Sequence, residues 1–198
     1  YRGLTGTDEA IKMKEADGKY HFYGLNQHEG YWGVNDGLTD LAAVRGTVPL
    51  AIRASKILNV DLPLRAKWED LLANLSSYPM GSDEQSVGIL ETDIWAIGHK
   101  GPSNHVQADP GEGLIWPIFP FEDWTLETRE PAVDHIARKF SEINSARLSI
   151  LTGKPWGPEI FTSAMRTPIL GSRAGRGEAL PAILASYYFH FKPLPNGF

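Results

Sequence analysis

The sequence predicts an all-α protein assembled from helical hairpins, and three observations carry that expectation. Five stretches repeat apolar residues at the three-to-four spacing of a helix with one buried face. Short links join them, which favours neighbours packed side by side. Period-two, aromatic segments occur only as brief excursions, too short for a sheet to organise the core. At 198 residues the chain is long enough to bury a substantial core.

Asp8 to Glu15 reads as one or two helical turns, and Asp17-Gly18 as a turn. Lys19-Tyr20-His21-Phe22-Tyr23-Gly24 then reads as a short strand, followed by a glycine-punctuated polar loop over residues 26–37. From Thr39, an N-cap by type, Leu41, Val44, Val48, Ala51, Ile52, Ser55 and Leu58 recur at helical spacing. Pro49 lacks an N–H and collides with the preceding turn, and Gly46 loosens the same region, so a kink is expected there. Asp61 is placed to cap a second helix with Pro63 in its first turn. Leu64, Trp68, Leu71, Leu72 and Leu75 form that helix's apolar stripe, with Trp68 expected in the core. The link at residues 59–61 makes the pair a helical hairpin.

Helical periodicity lapses between Tyr78 and Lys100, where Val87-Gly88-Ile89-Leu90 and Ile94-Trp95-Ala96-Ile97 look like short strands. Ser103-Asn104-His105 and residues 109–124 follow as a long loop carrying acids, a histidine and two tryptophans. A third helix is expected near Pro131, bearing Val133, Ile136, Ala137, Phe140, Ile143 and Leu148. Pro158 opens a fourth with Ile160, Phe161, Ala164 and Met165. A fifth after Gly177 carries Leu180, Ile183, Leu184, Tyr187, Tyr188 and Phe191. Gly171-Ser172-Arg173-Ala174-Gly175-Arg176-Gly177 has no Lys-Ser/Thr and no preceding strand, so it reads as a turn between helices rather than a phosphate loop.

The net charge of −5 is spread among interspersed acids and bases, with no basic stripe for nucleic acid. No run of about 18 apolar residues is present to span a membrane. With no cysteine, disulfides and thiolate metal sites are excluded. The chain begins at Tyr1, which is expected of a processed or excised protein, and Asn74-Leu75-Ser76 fits a glycosylation acceptor, pointing to secretion.

Thr39-Asp40-Leu41-Ala42-Ala43-Val44-Arg45, Ala51-Ile52-Arg53-Ala54-Ser55-Lys56-Ile57-Leu58, Leu64-Arg65 with Trp68, and Tyr78-Pro79 resemble the late barrel region of six-hairpin glycosidases, nearest to glycoside hydrolase family 95, the α-L-fucosidase and α-L-galactosidase group. Leu114-Ile115-Trp116-Pro117-Ile118-Phe119-Pro120 is similar to that family's Leu-x-Gly-Leu-x-Pro-like segment. Lys154-Pro155-Trp156-Gly157 and Arg176-Gly177-Glu178-Ala179-Leu180 resemble its closing helix pair. The resemblance spans roughly residues 20–190 and implies helical hairpins forming part of an (α/α)6 barrel. It departs from the family where Ala108-Asp109-Pro110-Gly111-Glu112-Gly113 stands in place of the His-x-His-x-Ser-His loop. In the family the general-acid Glu and a pair of Asn lie upstream of the matched region. The implied organisation is therefore residues 1–198 as the C-terminal portion of one catalytic domain, completed by a companion chain or a longer parent. The implied activity is exo-acting, fucosidase-like hydrolysis of an oligo- or polysaccharide, outside the cell and without a cofactor.

The residues themselves supply candidates for that chemistry. Inverting hydrolysis needs an acid and a base about 6.5–9.5 Å apart across the sugar. Asp109 and Glu112 sit among glycines that let a carboxylate approach a ligand, although each is also a plausible solvated loop acid or helix cap. Glu29, beside Tyr31-Trp32, is either a proton donor with a raised pKa or the ion partner of an arginine such as Arg45 or Arg53. Trp32, Trp116 and Trp124 offer flat faces to a sugar ring, whereas Trp95 and Trp156 read as buried. Asn26, His28, Asn35 and His105 complete the hydrogen-bonding set. The histidines share no metal-binding spacing, so no metal is expected. Two further functions fit the same residues: a non-catalytic carbohydrate-binding helical domain, and an α/α-toroid polysaccharide lyase with a Tyr or His base.

Overall fold

A computed structural model describes residues 14–27, 31–101, 105–106, 114, 116–125, 127, 173 and 181. They fall into two compact units, Tyr1–Asp123 and Trp124–Phe198. In the second unit, Trp124 is buried and Glu127 N–H donates to Thr125 Oγ1 at 3.3 Å. Pro181, expected in the fifth helix, is helical, and so is Arg173, which the glycines around it had assigned to a turn. The third and fourth expected helices, most of the fifth, and Trp156 lie outside the described residues.

In the first unit, helix α1 (Leu38–Leu58) and helix α2 (Leu62–Ala73) form the hairpin that the sequence predicts. Pro49, Ile52 and Lys56 of α1 line one open groove of about 790 Å³ with Leu72, Ala73 and Glu69 of α2. Lys56 Nζ lies 2.8 Å from Glu69. Earlier residues of α1 thus meet later residues of α2, as in an antiparallel pair. The α1 assignment continues through Pro49, the expected kink site.

The start of α1 differs from expectation because its cap comes from outside the helix. Gly37, not Thr39, occupies the N-cap position, and it has no side chain to offer. Gln27 supplies the missing acceptor: its Oε1 takes the Thr39 N–H at 2.8 Å, while its Nε2 donates to Asp40. A Cβ at residue 37 would collide with the Gln27 side chain, so glycine there makes room for the cap. Asp40 adds negative charge in the first turn, where the helix dipole favours it.

At the other end Asn59 takes the left-handed conformation at φ 54° and closes the helix on Ser55 O. Arg65 then ties the two helices, donating from Nε to Ser55 Oγ at 3.0 Å and from Nη2 to Ser55 O at 2.8 Å. Asp61 holds the N-cap position of α2, as expected, but its side chain makes no cap hydrogen bond.

Leu38, Leu41, Ala42, Ile52 and Ser55 of α1 are buried, whereas Leu58 is exposed. Of the expected stripe, Leu75 just past the end of α2 is buried, Trp68, Leu71 and Leu72 are half-buried and Leu64 is exposed; no residue within α2 itself is fully buried. The other buried apolar residues of this unit include Leu25, Tyr31 and Val34, Ile94 to Ile97, Leu114 and Ile118, alongside Leu75.

Four two-residue strands stitch this region together. Strand β1 (Tyr31–Trp32) pairs antiparallel with β4 (His105–Val106), and β2 (Ser86–Val87) with β3 (Gly98–His99). Isolated bridges join Tyr20 to Leu75, Leu25 to Val34, Asn35 to His99 and Met80 to Trp95. The expected strand over residues 19–24 is reduced to such bridges, and Ile94-Trp95-Ala96-Ile97 is buried connecting chain that leads into β3.

Candidate functional site

The first polar loop is held by its own asparagines. Asn26 Oδ1 accepts the Gly33 N–H at 3.3 Å. Asn35 Oδ1 accepts the Gly24 N–H at 3.1 Å, its Nδ2 donates to Lys100 O at 3.3 Å, and its backbone exchanges two bonds with His99. Both side chains therefore act as scaffold, fixing the turn that presents Trp32. That tryptophan stays 49% exposed, although its neighbour Tyr31 is buried. The alternation is that of a strand with one face in the core.

Strand β1 also fixes the loop against the second segment singled out by the sequence: Trp32 stands opposite His105 in the β1·β4 register. His28, Glu29, Asp109 and Glu112 lie outside the described residues, as do Ser103 and Asn104. Trp116 is half-buried beside Phe121, with ring centroids 5.7 Å apart, and its indole N–H is enclosed without a hydrogen-bond partner among the described residues. Trp124 is buried, so its face is not presented to solvent as Trp32's is.

Close to this loop lies a cluster that spacing along the chain does not reveal. Asp36 adopts φ 45° immediately before Gly37 and is buried, with a side chain 6% exposed. Its Oδ1 accepts the Phe22 N–H at 2.9 Å and the Ser76 hydroxyl at 3.1 Å. Its Oδ2 meets His21 Nδ1 at 2.5 Å and lies 3.8 Å from His99 Nδ1, the latter an ion-pair distance rather than a hydrogen bond. On the far sides of the rings, Asp17 meets His21 Nε2 at 3.1 Å and Asp83 meets His99 Nε2 at 3.3 Å.

The protonation equilibria follow from this arrangement. Burial pulls the His21 pKa down, but Asp36 and Asp17 outweigh it and hold the imidazole above its ordinary 6.5. Asp36 raises His99 in the same sense, against burial and with help from Asp83. Burial works to raise Asp36, yet His99, His21 and the Phe22 amide keep it below the ordinary 3.8. At neutral pH Asp36 is thus an ionised carboxylate with its lone pairs engaged, suited to holding cations rather than abstracting a proton.

A half-buried carboxylate contact joins the central loop to the hairpin's exit: Tyr78 O–H donates to Asp123 Oδ2 at 2.7 Å. Burial and the Asp123 charge push the phenol's pKa well above its ordinary value. The Arg45 guanidinium lies 5.1 Å from the Tyr78 ring centroid and donates to Ser76 O at 2.7 Å. Among the described residues no group of three or more His, Asp or Glu has the geometry to hold a metal ion.

The chain matches none of the known family models, curated proteins or solved structures with which it was compared.

Proposed function

We propose that the chain is the C-terminal part of the catalytic domain of a secreted (α/α)6-barrel glycoside hydrolase, exo-acting and fucosidase-like, completed by a companion chain or a longer parent. The observation that carries the reading is the register pair of Trp32 with His105. It joins an exposed aromatic face, suited to the apolar side of a sugar ring, to the segment that runs directly into the acid-bearing loop with Asp109 and Glu112. The resemblance of short motifs in α1, α2 and residues 114–120 to family 95 supports the same reading. In it, Asp109, Glu112 and Glu29 supply the acid and base.

The test is hydrolysis of fucosylated and galactosylated oligosaccharides by the intact protein, together with any chain that co-purifies on a denaturing gel. Asp109→Ala and Glu112→Ala should each lower kcat by about 100-fold or more if they carry acid/base catalysis. Full activity in both variants overturns the assignment.

One observation favours a second reading, a carbohydrate-binding domain without turnover. Asp36, the described carboxylate of the first loop, is buried and engaged by His21, Phe22 and Ser76, so it is not free to serve a sugar. Calorimetric binding of a glycan with no product from any tested substrate would decide for this alternative.

A further inference from the structure

Asp36 gathers its partners from three separate parts of the chain. His21 and the Phe22 amide come from the segment after the Asp17 turn, Ser76 from the exit of α2, and His99 from β3. Asp17 and Asp83 close the outer edges of the two rings. Every ring nitrogen of both histidines therefore faces a carboxylate oxygen.

A neutral imidazole has one N–H and one lone pair, so in this setting one of its nitrogens would point a lone pair at an anion. Only the imidazolium satisfies both sides. With both rings protonated, the five side chains carry a residual single negative charge; with both neutral, they carry three with no imidazolium between the carboxylates. Of the other ionisable groups near the cluster, Lys19 lends positive charge to Asp17 at the outer edge. Tyr23 stands 6.4 Å from His21, ring to ring, and is pushed up to about 12 by burial and by Glu15. Lys19 also offers Asp17 its backbone N–H and its ammonium reaches Ser77 Oγ at 3.4 Å, while Lys100 offers its backbone N–H to Gln85 O.

We propose that His21, Asp36 and His99 form a proton-operated clasp. It is shut while both imidazoles are charged, binding the segment at residues 17–22 and the β3 turn to the entrance of α1. It loosens as they are neutralised, releasing the loop that carries Trp32. The coupling to that loop is direct: Asn35, next to Asp36, exchanges both of its backbone bonds with His99 and braces Gly24 with its side chain. The inference stands on these side chains and is independent of the carbohydrate reading.

The full chain tests it by histidine NMR titration combined with amide hydrogen exchange from about pH 5 to about pH 9. Both His21 and His99 are expected to titrate above 6.5. The protection factors of the Phe22 and Asn35 amides should fall by roughly tenfold for each unit by which the imidazole pKa is raised, while Leu41 in α1 keeps its protection. In Asp36→Asn, both rings should titrate lower than in the parent, though Asp17 and Asp83 still act on them, and the step should disappear. His99→Gln, which keeps the carboxylate, is the second variant should Asp36→Asn not fold; it should abolish the step at Asn35. Either ring titrating at or below 6.5 in the unaltered chain, or protection at Phe22 and Asn35 that stays flat through the titration, overturns the clasp.

Discussion

The carbonyl oxygen of Phe121 occupies the space that a side chain at Gly46 would need. In sequence Gly46 reads as a flaw in α1, a residue that loosens the helix before Pro49. In the structure it is the contact at which the central loop lies directly on the helix. Gly46→Ala gains about 1 kcal/mol of intrinsic helix propensity. It also drives a methyl group into backbone rather than into a movable side chain, and overpacking of that kind costs roughly 1–3 kcal/mol. The collision should win, so the variant melts lower than the parent. Its tryptophan fluorescence should also shift, because the Trp116 ring that lies tilted against Phe121 must move with the loop. A raised melting temperature with unchanged fluorescence would show that the loop does not rest there.

Gln27 and Gly37 should behave as one unit. Removing the glutamine leaves the Thr39 N–H without its acceptor, a loss worth about 1 kcal/mol at a helix N-terminus. Gly37→Ala keeps a backbone conformation that alanine adopts readily, at φ −61°, but it pushes the Gln27 side chain off the cap. Each single change, measured by denaturant unfolding, should therefore destabilise, and the double change should cost clearly less than the sum. Strict additivity would mean that the glutamine does not cap α1.

Much of the hairpin was legible because its information is local. The stripe from Leu41 to Ser55, the brief link before Asp61 and the position of Pro63 all act within a few residues of where they stand. What the sequence hid depends on partners far along the chain. Gln27 caps a helix that begins beyond the next loop, and His99 reaches Asp36 across most of the first unit. The stripe on α2 was legible only in part for a related reason: spacing does not say what covers a face, and here the cover is incomplete, with Leu64 exposed, Trp68, Leu71 and Leu72 half-buried and only Leu75 buried. The first loop was recognised as irregular and side-chain-rich. Its asparagines, expected at a ligand, are spent on holding Gly33, Gly24 and Lys100.

Stability should form a plateau in mildly acidic solution. His21 and His99 are raised in the fold, so their contribution is complete below 6.5 and is lost as pH rises through their folded values. Asp36 is lowered, so its contribution is present above 3.8 and is lost as pH falls through its folded value. Melting temperature should therefore be highest between these limits and decline on both sides, with roughly 2–4 °C for each kcal/mol lost at this chain length. A melting temperature that climbs steadily from pH 6 to pH 9, taken as an approximate working range, would contradict the sign of both histidine shifts.

Tyr78→Phe removes the hydroxyl that donates to Asp123 while keeping the ring under Arg45 and edge-on to Trp95, whose centroid is 5.8 Å away. What remains is a carboxylate without its donor beside the central loop, a cost of about 1.5–3 kcal/mol for a hydrogen bond to a charged group. Asp123→Asn in the Tyr78→Phe background should recover part of the loss, since the stranded charge is then gone. Unfolding by urea measures both, and a Tyr78→Phe variant as stable as the parent would show that the hydroxyl has no role in holding the loop.

Trp32 separates the functional readings from a purely structural role. Half of the side chain is already in water, so Trp32→Ala removes about half of a tryptophan's buried area and should cost roughly 2–3 kcal/mol on unfolding, a cost that Trp32→Phe should largely avoid. If the ring stacks on a sugar, the same change removes an aromatic contact of about 0.5–1.5 kcal/mol beyond its buried area, and glycan affinity should fall about tenfold or more. Trp32→Phe keeps a flat face and should restore much of the binding without altering the fold. Calorimetry on the three proteins with one glycan panel gives the answer. Equal affinities would remove Trp32 from the site, and with it the register pair to His105 on which the carbohydrate reading is built.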